Sequence, residues 1–562
     1  MKIADATPQS RGKSTSLVVV LHAPTSCPED MDGVRSAVMN TMGDADLLIP
    51  GLPLHLTSNA DPVAITIALL EAIDSAEKQR QERFGEGYSE IILIGHCVGA
   101  LLARKLYIFA QGENDDAVFE ATLDRRPWAH KVMRIILLAS LNRGWSIESN
   151  LPRAKAVLLR CGEGIARLLN KGHLWLSCRR GADFITELRI QWLSMLRHND
   201  RAALTIQLLG TIDDLVIQDD DIDLQIGKNF IYLEVPRSGH KNVIDFEGEA
   251  GAVRRAIFVD ALTASEQHLK NKNEIQIAPE HEPDTSVRNV VFIVHGIRDH
   301  GFWTNRVARK IQRVARDEEQ RYITVTSSYG YFPMWPFIFS YFKRQMNVFW
   351  LMDQYTLALA KYPNARFSFV GHSNGTYLLA SALEMYPSCR FDRVVFAGSV
   401  IRTTFPWDQM ITAGRIREIR NFVATNDWVV AVFPGVYEQL GISDLGRSGS
   451  DGFKPDLPVD QHKWVGGGHN AAIKEDTWQS IAEFIVKGRS APAPELKPAP
   501  SRIVSVLSAG ALVCWLLLVC AVIGLFWLLI SAWPDSWKAV SNWWLLPTAV
   551  YFFGLYHVLN KI

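Results

Sequence analysis

The sequence predicts an α/β protein with two domains, each built on a mostly parallel sheet flanked by helices, followed by an apolar C-terminal tail. Short, almost continuous apolar runs alternate with longer helical stretches, a pattern typical of parallel strands that are buried on both faces. The chain has 562 residues, too many for one core, because single cores stop growing at roughly 250–300 residues. The same order of signals also occurs twice along the chain, which indicates a tandem duplication.

Five strands are predicted in each copy. In both, an early strand ends in His, and a later strand ends in Gly-His followed by a nucleophilic residue. The predicted strands of the first copy are 16–24, 90–97, 134–140, 204–211 and 230–236. Those of the second copy are 290–296, 367–373, 393–399, 419–427 and 462–469.

Composition places the boundaries between these parts. The first domain is predicted for 1–265 and the second for 289–487. Between them, the charged stretch 266–288 has prolines and little apolar periodicity, which is typical of a linker. The proline-rich segment 488–502 is predicted to be a semi-rigid stalk that holds the second domain away from the apolar tail, 503–562.

The tail predicts a multi-pass membrane anchor with two spans. Residues 503–532 carry no charge, and about 20 apolar residues suffice to cross a bilayer. The segment 539–559 also lacks Lys, Arg, Asp and Glu, and its aromatic residues suit the interfacial belt. A buried helical hairpin in a soluble core is the alternative. Because basic residues precede the first span and follow the second, we expect both domains on the cytoplasmic side.

Charge and cysteine content bear on partners and cofactors. Lys plus Arg equals Asp plus Glu at 59 each, so no net field favours nucleic acid. The seven cysteines lack CxxC spacing and are predicted to be reduced thiols. The sequence has no phosphate loop, dinucleotide fingerprint or metal-binding cluster, so we expect no cofactor and no metal. The acidic run 219–223 lacks EF-hand spacing and is predicted to be a solvated loop.

The second copy contains a G-x-S-x-G motif at 371–375, directly after a predicted strand and before a helical stretch. This is the context of a strained turn that exposes a nucleophilic serine, here Ser373. A serine hydroxyl needs a base, and the base needs a carboxylate to orient it. Asp427 and His469 follow later strands, at the edge where open α/β sheets gather their sites. His462 is a weaker candidate base, because it precedes its strand.

This order of residues resembles that of the α/β-hydrolase superfamily, and the resemblance covers nearly all of 289–487. It implies that Ser373 is the nucleophile, Asp427 the orienting acid and His469 the base of a triad. The implied activity is hydrolysis of an ester, either a small molecule or a lipid, through an acyl-serine intermediate.

In that superfamily, an H-G motif after an early strand helps to form the oxyanion hole. The matching residues here are H-G-I-R at 295–298. The backbone N–H groups of Ile297 and Asn374 are therefore expected to bind the oxyanion.

The first copy repeats the turn as G-H-C-V-G at 95–99, with cysteine in place of serine. A thiolate can replace the alkoxide when it is paired with histidine. By order and context the triad would be Cys97, Asp213 and His240, with Asp214 as a less favoured acid. Cysteine nucleophiles occur in the superfamily, so the resemblance allows activity.

The oxyanion segment of the first copy argues against activity. The position that matches Ile297 is Pro24, which has no N–H to donate. Unless Thr25 or Ser26 substitutes, one donor is missing, a loss that costs roughly 10²–10³ in turnover. A slow thiol hydrolase and an inactive relic both stay open.

Two further segments have alternative interpretations. The Arg- and Trp-rich insert 143–200 is predicted to be a helical cap over Cys97. Its basic residues either meet anionic lipid or a partner or, more commonly, form solvated helix faces. The aromatic stretch 329–355 is either a membrane-grazing or acyl-binding flap or a helix packed on the sheet.

Three functions fit these patterns. The first is a membrane-anchored ester hydrolase whose partners are the lipid bilayer and a small-molecule or lipid ester. The second makes the cysteine half a regulatory module for the serine half. The third is a membrane-bound scaffold with hydrolase-like domains that bind a ligand or partner. A likeness of fold alone does not identify a substrate. The sequence also allows assembly into a homo-oligomer.

Overall fold

The chain folds into two compact units, as seen in a computed structural model. Unit 1 comprises Met1–Asp284, Met352–Pro363 and Tyr386–Ser388, and unit 2 comprises Thr285–Leu351, Asn364–Met385 and Cys389–Ile562. The structure describes all residues except 1–2, 5–6, 10–13, 25, 114–124, 148–161, 165, 167–168, 170, 199–201, 214, 217, 222–223, 225–228, 274–281, 299–300, 442–443, 492–493, 534–543 and 562.

Unit 1 is built on a six-stranded sheet whose paired strands all run parallel. Its strands are β1 (Ser16–Leu21), β2 (Asp46–Leu48), β3 (Glu90–His96), β4 (Val132–Leu138), β5 (Leu204–Gly210) and β6 (Phe230–Val235). They lie in the order β2-β1-β3-β4-β5-β6. Residues 17–21 of β1 are fully buried, as expected for a strand covered on both faces.

Helices pack around this sheet. The described helices of unit 1 are α1 (Asp32–Thr41), α2 (Pro62–Phe84), α3 (Val98–Ala110), α4 (His173–Ser177), α5 (Asp183–His198), α6 (Gly248–Thr263) and α7 (Glu266–Asn271). The described part of the predicted cap supplies α4 and α5, and α5 packs against α3. Helix α7 lies in the stretch predicted as a linker and buries Leu269 in unit 1.

Unit 2 repeats this architecture. Its strands are β7 (Asn289–Val294), β8 (Tyr322–Val325), β9 (Arg366–His372), β10 (Phe391–Ala397), β11 (Ile416–Ala424) and β12 (Asp460–Val465). Their order, β8-β7-β9-β10-β11-β12, matches that of unit 1, and every pairing is again parallel.

The helices of unit 2 surround its sheet and continue into the tail. They are α8 (Thr304–Asp317), α9 (Met334–Phe339), α10 (Tyr341–Lys361, assigned to unit 1 from Met352 onwards), α11 (Asn374–Met385), α12 (Trp407–Thr412), α13 (Trp428–Leu440), α14 (Glu475–Lys487), α15 (Arg502–Ala509), α16 (Ala511–Ser531) and α17 (Leu545–Lys561).

The prediction of two α/β units with parallel sheets is confirmed, and each of the ten predicted strands overlaps a strand of the structure. Two short strands were missed, β2 with three residues and β8 with four. Both lie at the edge of their sheet and are too short to form a recognisable apolar run.

Two glycines allow the helix after each nucleophile to approach the first strand of its sheet. A Cβ on Gly99 would lie 2.3 Å from the Leu21 carbonyl oxygen, and a Cβ on Gly375 would lie 2.5 Å from that of Val294. These distances are far below van der Waals contact. Helices α3 and α11 therefore lie directly against backbone, at a point where any side chain would separate them from the sheet.

Replacing Gly375 by Ala is expected to lower the free energy of unfolding by about 1–3 kcal/mol, because the added methyl group must displace strand β7. The check is the thermal unfolding midpoint of the full-length protein in detergent. Gly466→Ala is the matched control, since its nearest contact would be an ordinary 3.5 Å to the Lys497 side chain. Equal midpoints for the two variants would contradict the close-packing argument.

The prediction of a stalk that holds unit 2 away from the tail is wrong. The segment packs on unit 2: Lys497 N–H donates to the Trp464 carbonyl (2.7 Å), and Ser501 N–H donates to that of Thr425 (2.8 Å). Arg420 also donates a side-chain hydrogen bond to the Ala491 carbonyl (3.2 Å). Hydrogen bonds to β12, to the residue after β11 and from Arg420 hold the segment against unit 2 despite its prolines.

The tail differs from the prediction in two respects. The uncharged run breaks at Gly510 into α15 and α16, because Ser508 at the end of α15 is held by Asp451 (3.1 Å) and Gln439 (2.7 Å). Among the described residues one helix, α16, is long and apolar enough to cross a membrane, rather than two. The described part of the second segment forms α17, which has 17 residues.

The acidic run is not a solvated loop where it is described. Asp220 and Asp221 are buried; Arg180 pairs with Asp220 at 2.7 Å, and the Asn142 amide donates to Asp221 at 2.5 Å. The basic residues of the insert are used in the same way, since Arg189 pairs with Asp353 at 2.7 Å within unit 1. At these described positions, buried opposite charges are partners of one another.

Candidate active site

Ser373 occupies the turn between β9 and α11 of unit 2. Its φ angle is +52°, a left-handed conformation that costs a non-glycine residue energy and holds the side chain above the strand. Its N–H donates to the carbonyl of Ala397 at the end of β10 (3.0 Å), which ties the turn to the sheet. The predicted nucleophile position therefore has the geometry that the G-x-S-x-G motif requires.

Asp427 and His469 meet at the same edge of the sheet. His469 Nδ1 lies 2.9 Å from Asp427 Oδ2, and the fully buried Asp427 also accepts the Val430 N–H at the start of α13 (3.1 Å). Burial lowers the pKa of His469, but the charge and hydrogen bond of Asp427 outweigh burial and raise it above its ordinary value. Asp427 thus holds the proton on Nδ1 and leaves Nε2 as the position for a base.

The alternative base, His462, lies elsewhere. It sits on β12, and its Nε2 is 3.2 Å from Asp460 Oδ1. The ring also packs edge-on against Phe422. His462 therefore has a structural setting of its own, and His469 is the histidine that shares a cavity with Ser373.

A cavity of about 560 Å³ opens above Ser373 and His469, and Ile297 also lines it. Asn374 is the first residue of α11, and N–H groups in the first turn of a helix have no intrahelical partner. The two predicted oxyanion residues therefore flank the nucleophile. Most of the remaining lining is apolar, notably Met334, Phe337, Ile338, Trp428, Phe433 and Pro434.

Sequence reasoning missed Tyr329, which joins the segment before Ile297 to Asn374, the two predicted oxyanion residues. The Tyr329 hydroxyl lies 2.9 Å from the Gly296 carbonyl oxygen, and the Asn374 side-chain amide donates to that hydroxyl at 3.1 Å. The ring also stacks on His295 at 4.5 Å. Its only signal in the sequence was its place at the start of the aromatic stretch.

The aromatic stretch contributes to the cavity wall and to a buried helix, while its contact with a membrane or an acyl group stays a prediction. Helix α9 lines the cavity through Met334, Phe337 and Ile338. Helix α10 instead buries Val348 and Leu351 completely. The stretch is thus partly a wall of the cavity and partly a packed helix.

A second missed feature is the histidine that precedes each nucleophile. His372 Nε2 lies 3.3 Å from the backbone oxygen of His469, and His96 Nε2 lies 2.9 Å from that of His240. Each histidine can hold the backbone of the candidate base close to the nucleophile. The repeated Gly-His before Ser373 and Cys97 was the available signal.

Unit 1 brings Cys97, Asp213 and His240 together in a similar way. Cys97 has a φ of +55°, and His240 Nδ1 lies 3.1 Å from Asp213 Oδ2. Burial lowers the pKa of His240, but negative charge on Cys97 and the bond to Asp213 raise it, to about 10. His240 therefore lies between Cys97 and Asp213, as the base of a triad would. The less favoured acid, Asp214, lies outside the described residues.

In unit 1, the segment that matches the predicted oxyanion residues uses its backbone N–H groups within its own turn. The Ala23 N–H donates to Ser26 Oγ (2.9 Å), and Ser26 N–H donates back to the Ala23 carbonyl (3.2 Å). Pro24 has no N–H, and Thr25 lies outside the described residues. Within the described residues, neither Ala23 nor Ser26 offers a free backbone donor to Cys97.

Comparison with known proteins gives likenesses of fold. No family model and no curated protein matches the chain. Among solved structures, it is similar to a thioesterase domain from the curacin biosynthetic pathway, with 14% identity over 44% of this chain and 93% of that chain and a TM-score of 0.26. It is also similar to an inhibited esterase B from Lactobacillus rhamnosis (12% identity, 47% and 80% covered, TM-score 0.32). At these values nothing about a substrate follows.

Proposed function

We propose that unit 2 is a serine hydrolase that cleaves carboxylic esters through an acyl-Ser373 intermediate. One observation carries the proposal: Ser373, in a strained turn, shares an apolar cavity with His469, whose other ring nitrogen is held by the buried Asp427. A nucleophile, an oriented base and flanking N–H groups are the parts that acyl transfer needs.

The reaction has two halves. His469 Nε2 takes the proton of Ser373 as Oγ attacks the ester carbonyl, and the N–H groups of Ile297 and Asn374 bind the oxyanion. Collapse of the tetrahedral intermediate breaks the ester C–O bond, and the imidazolium returns the proton to the departing alcohol. Water then attacks the acyl-serine with His469 as base, which releases the acid and restores the serine.

The proposal includes anchoring by the tail. Helix α16 has a mean hydropathy of 2.9 and none of its apolar window is buried in the protein. Such a surface favours a bilayer over water. The cytoplasmic side predicted for both units depended on two spans and stays a prediction.

Labelling with a serine-directed fluorophosphonate tests the proposal. We expect covalent label on the wild-type protein, none on Ser373→Ala and full label on Cys97→Ala. Peptide mapping assigns the labelled residue. Absence of label on correctly folded wild-type protein would favour a ligand-binding or scaffolding role instead.

Unit 1 is proposed to regulate unit 2 rather than to hydrolyse esters. The supporting observation is its oxyanion segment, in which Ala23 N–H is used by Ser26 and Pro24 has none. A weak cysteine hydrolase is the competing function for this unit.

Replacing Cys97 by Ser is expected to leave turnover of a soluble ester within about twofold of the wild type, because lost oxyanion donors already cost unit 1 roughly 10²–10³. The measurement is kcat/KM for a water-soluble fluorogenic ester. A fall that matches the effect of Ser373→Ala would place the chemistry in unit 1 and contradict this assignment.

A further inference from the structure

Four exposed aromatic side chains lie on helices of unit 2, of which α9 and α13 line the cavity. Two lie on α9, one in the first turn of α10 and one in the first turn of α13. They are Trp335, Phe339, Tyr341 and Trp428, and each is between 44% and 58% exposed. We call this set the aromatic rim. Apolar groups of this size in contact with water mark a surface that a partner covers.

Helix α9 connects the rim to the reaction site. Its residues Met334, Phe337 and Ile338 line the cavity above Ser373. Trp335 and Phe339, on its other face, are exposed, and their tilted rings lie 4.4 Å apart. Trp428 both lines the cavity and belongs to the rim. Whatever covers the rim therefore lies next to the cavity opening.

The rim is continuous with the membrane helix. Trp515, near the start of α16, packs against Phe339 of the rim at 6.0 Å and against Phe433 of the cavity wall at 5.9 Å. Its indole N–H donates to the Val432 carbonyl at 3.2 Å. The first turns of the apolar helix thus touch both the rim and the cavity wall.

The start of α16 is also held in place from the other side. Gln439 donates to the Ser508 carbonyl (2.7 Å), and Arg447 donates to the same oxygen (3.2 Å). Further back, the Ser501 N–H bonds to Thr425, two residues before the candidate acid Asp427. These bonds place the beginning of the span beside the catalytic edge of the sheet.

The length of α16 indicates how deep in the bilayer the rim lies. Its 21 residues extend about 31 Å, which matches a hydrocarbon core of about 30 Å. When the whole helix spans the bilayer, Trp515 lies four residues, or about 6 Å, inside the end of the span and close to the interface, where Trp and Tyr are enriched. Phe339 of the rim contacts Trp515 and Trp335 contacts Phe339, which places this part of the rim close to the same level.

We propose that the aromatic rim sits in the interfacial region of the bilayer crossed by α16, and that the cavity above Ser373 takes the acyl chain of an ester lipid directly from that leaflet. This rests on the proposed function and assigns its substrate class. The acyl group reaches Ser373 along apolar walls without crossing water. Hydrolysis consumes one water and releases a fatty acid and the lipid alcohol.

The test uses full-length protein reconstituted in phosphatidylcholine vesicles and two substrates with the same leaving group. One is water-soluble 4-methylumbelliferyl butyrate, and the other is 4-methylumbelliferyl oleate dissolved in the bilayer. The variant is Trp335→Glu, which changes the rim but not the cavity lining. The control is Ile67→Glu on α2 of unit 1, because Ile67 is 45% exposed and Trp335 44%.

We expect Trp335→Glu to lower oleate turnover by about tenfold or more. An aromatic ring is favoured at the membrane interface, whereas a carboxylate stays in water. Butyrate turnover should stay within about twofold of the wild type, because that substrate arrives from water. Ile67→Glu should leave both unchanged, and Trp335→Phe should restore oleate turnover.

The remaining outcomes separate this inference from the function on which it rests. Butyrate hydrolysis without oleate hydrolysis in the wild type would overturn the lipid assignment and leave the esterase proposal standing. Hydrolysis of neither substrate would overturn both. Unchanged oleate turnover in Trp335→Glu, together with a shift to a smaller oligomer in detergent, would assign the rim to a second copy of the chain and reject the bilayer.

Discussion

Replacing Ser373 by Ala is expected to lower ester turnover by roughly 10⁶-fold, which is the typical effect of removing a triad nucleophile. The hydroxyl forms the covalent intermediate, and neither His469 nor the oxyanion donors can take its place. The measurement is kcat for a water-soluble ester with the full-length protein in detergent.

Ser368→Ala is the matched control for this loss. Ser368 lies on the same strand, β9, and is also buried, but it lies before the turn and does not line the cavity. We expect near wild-type turnover for it. Retained turnover in Ser373→Ala would move the chemistry to another residue, with Cys97 the first to test.

Replacing Asp427 by Asn is expected to lower kcat by roughly 10⁴-fold, because an amide can hold His469 in the wrong tautomer. The change preserves volume and an oxygen that can still accept the Val430 N–H. The loss should therefore appear in turnover rather than in folding. Asp392→Asn, which breaks a surface pair with Arg417 (3.0 Å), is the control and should retain activity.

The same variant has a predicted effect on pH dependence. Only neutral His469 can act as base, so activity rises with pH through the pKa of His469, and the Asp427 carboxylate raises that pKa. Asp427→Asn removes the negative charge that raises the pKa of His469, whereas the burial that lowers this pKa remains. The acid limb of the kcat/KM profile should move to lower pH. A move to higher pH would contradict the assigned role of Asp427.

Local sequence predicted much of the site. The turns at Ser373 and Cys97 are each encoded by five consecutive residues, and the strands beside them are apolar runs typical of a buried parallel sheet. Asp427 and His469 were found because strand ends in such a sheet gather at one edge.

What sequence missed depends on contacts between distant segments. Tyr329 bonds to Gly296 and Asn374, which lie 33 and 45 residues away, and nothing in its local sequence indicates this. The burial of Asp220 depends in the same way on Arg180. Acidic runs and proline-rich segments usually lie in solvent. Here residues from distant parts of the chain bind both of them to the fold.

The most direct test of the central claim is to trap the acyl-enzyme. The full-length protein is mixed with p-nitrophenyl acetate, quenched in acid during the initial burst, digested and analysed by mass spectrometry. The account predicts one acetyl group on the peptide that contains Ser373, and none in Ser373→Ala. Acetyl found on Cys97 alone, or steady turnover with no acetylated peptide at Ser373, would contradict it.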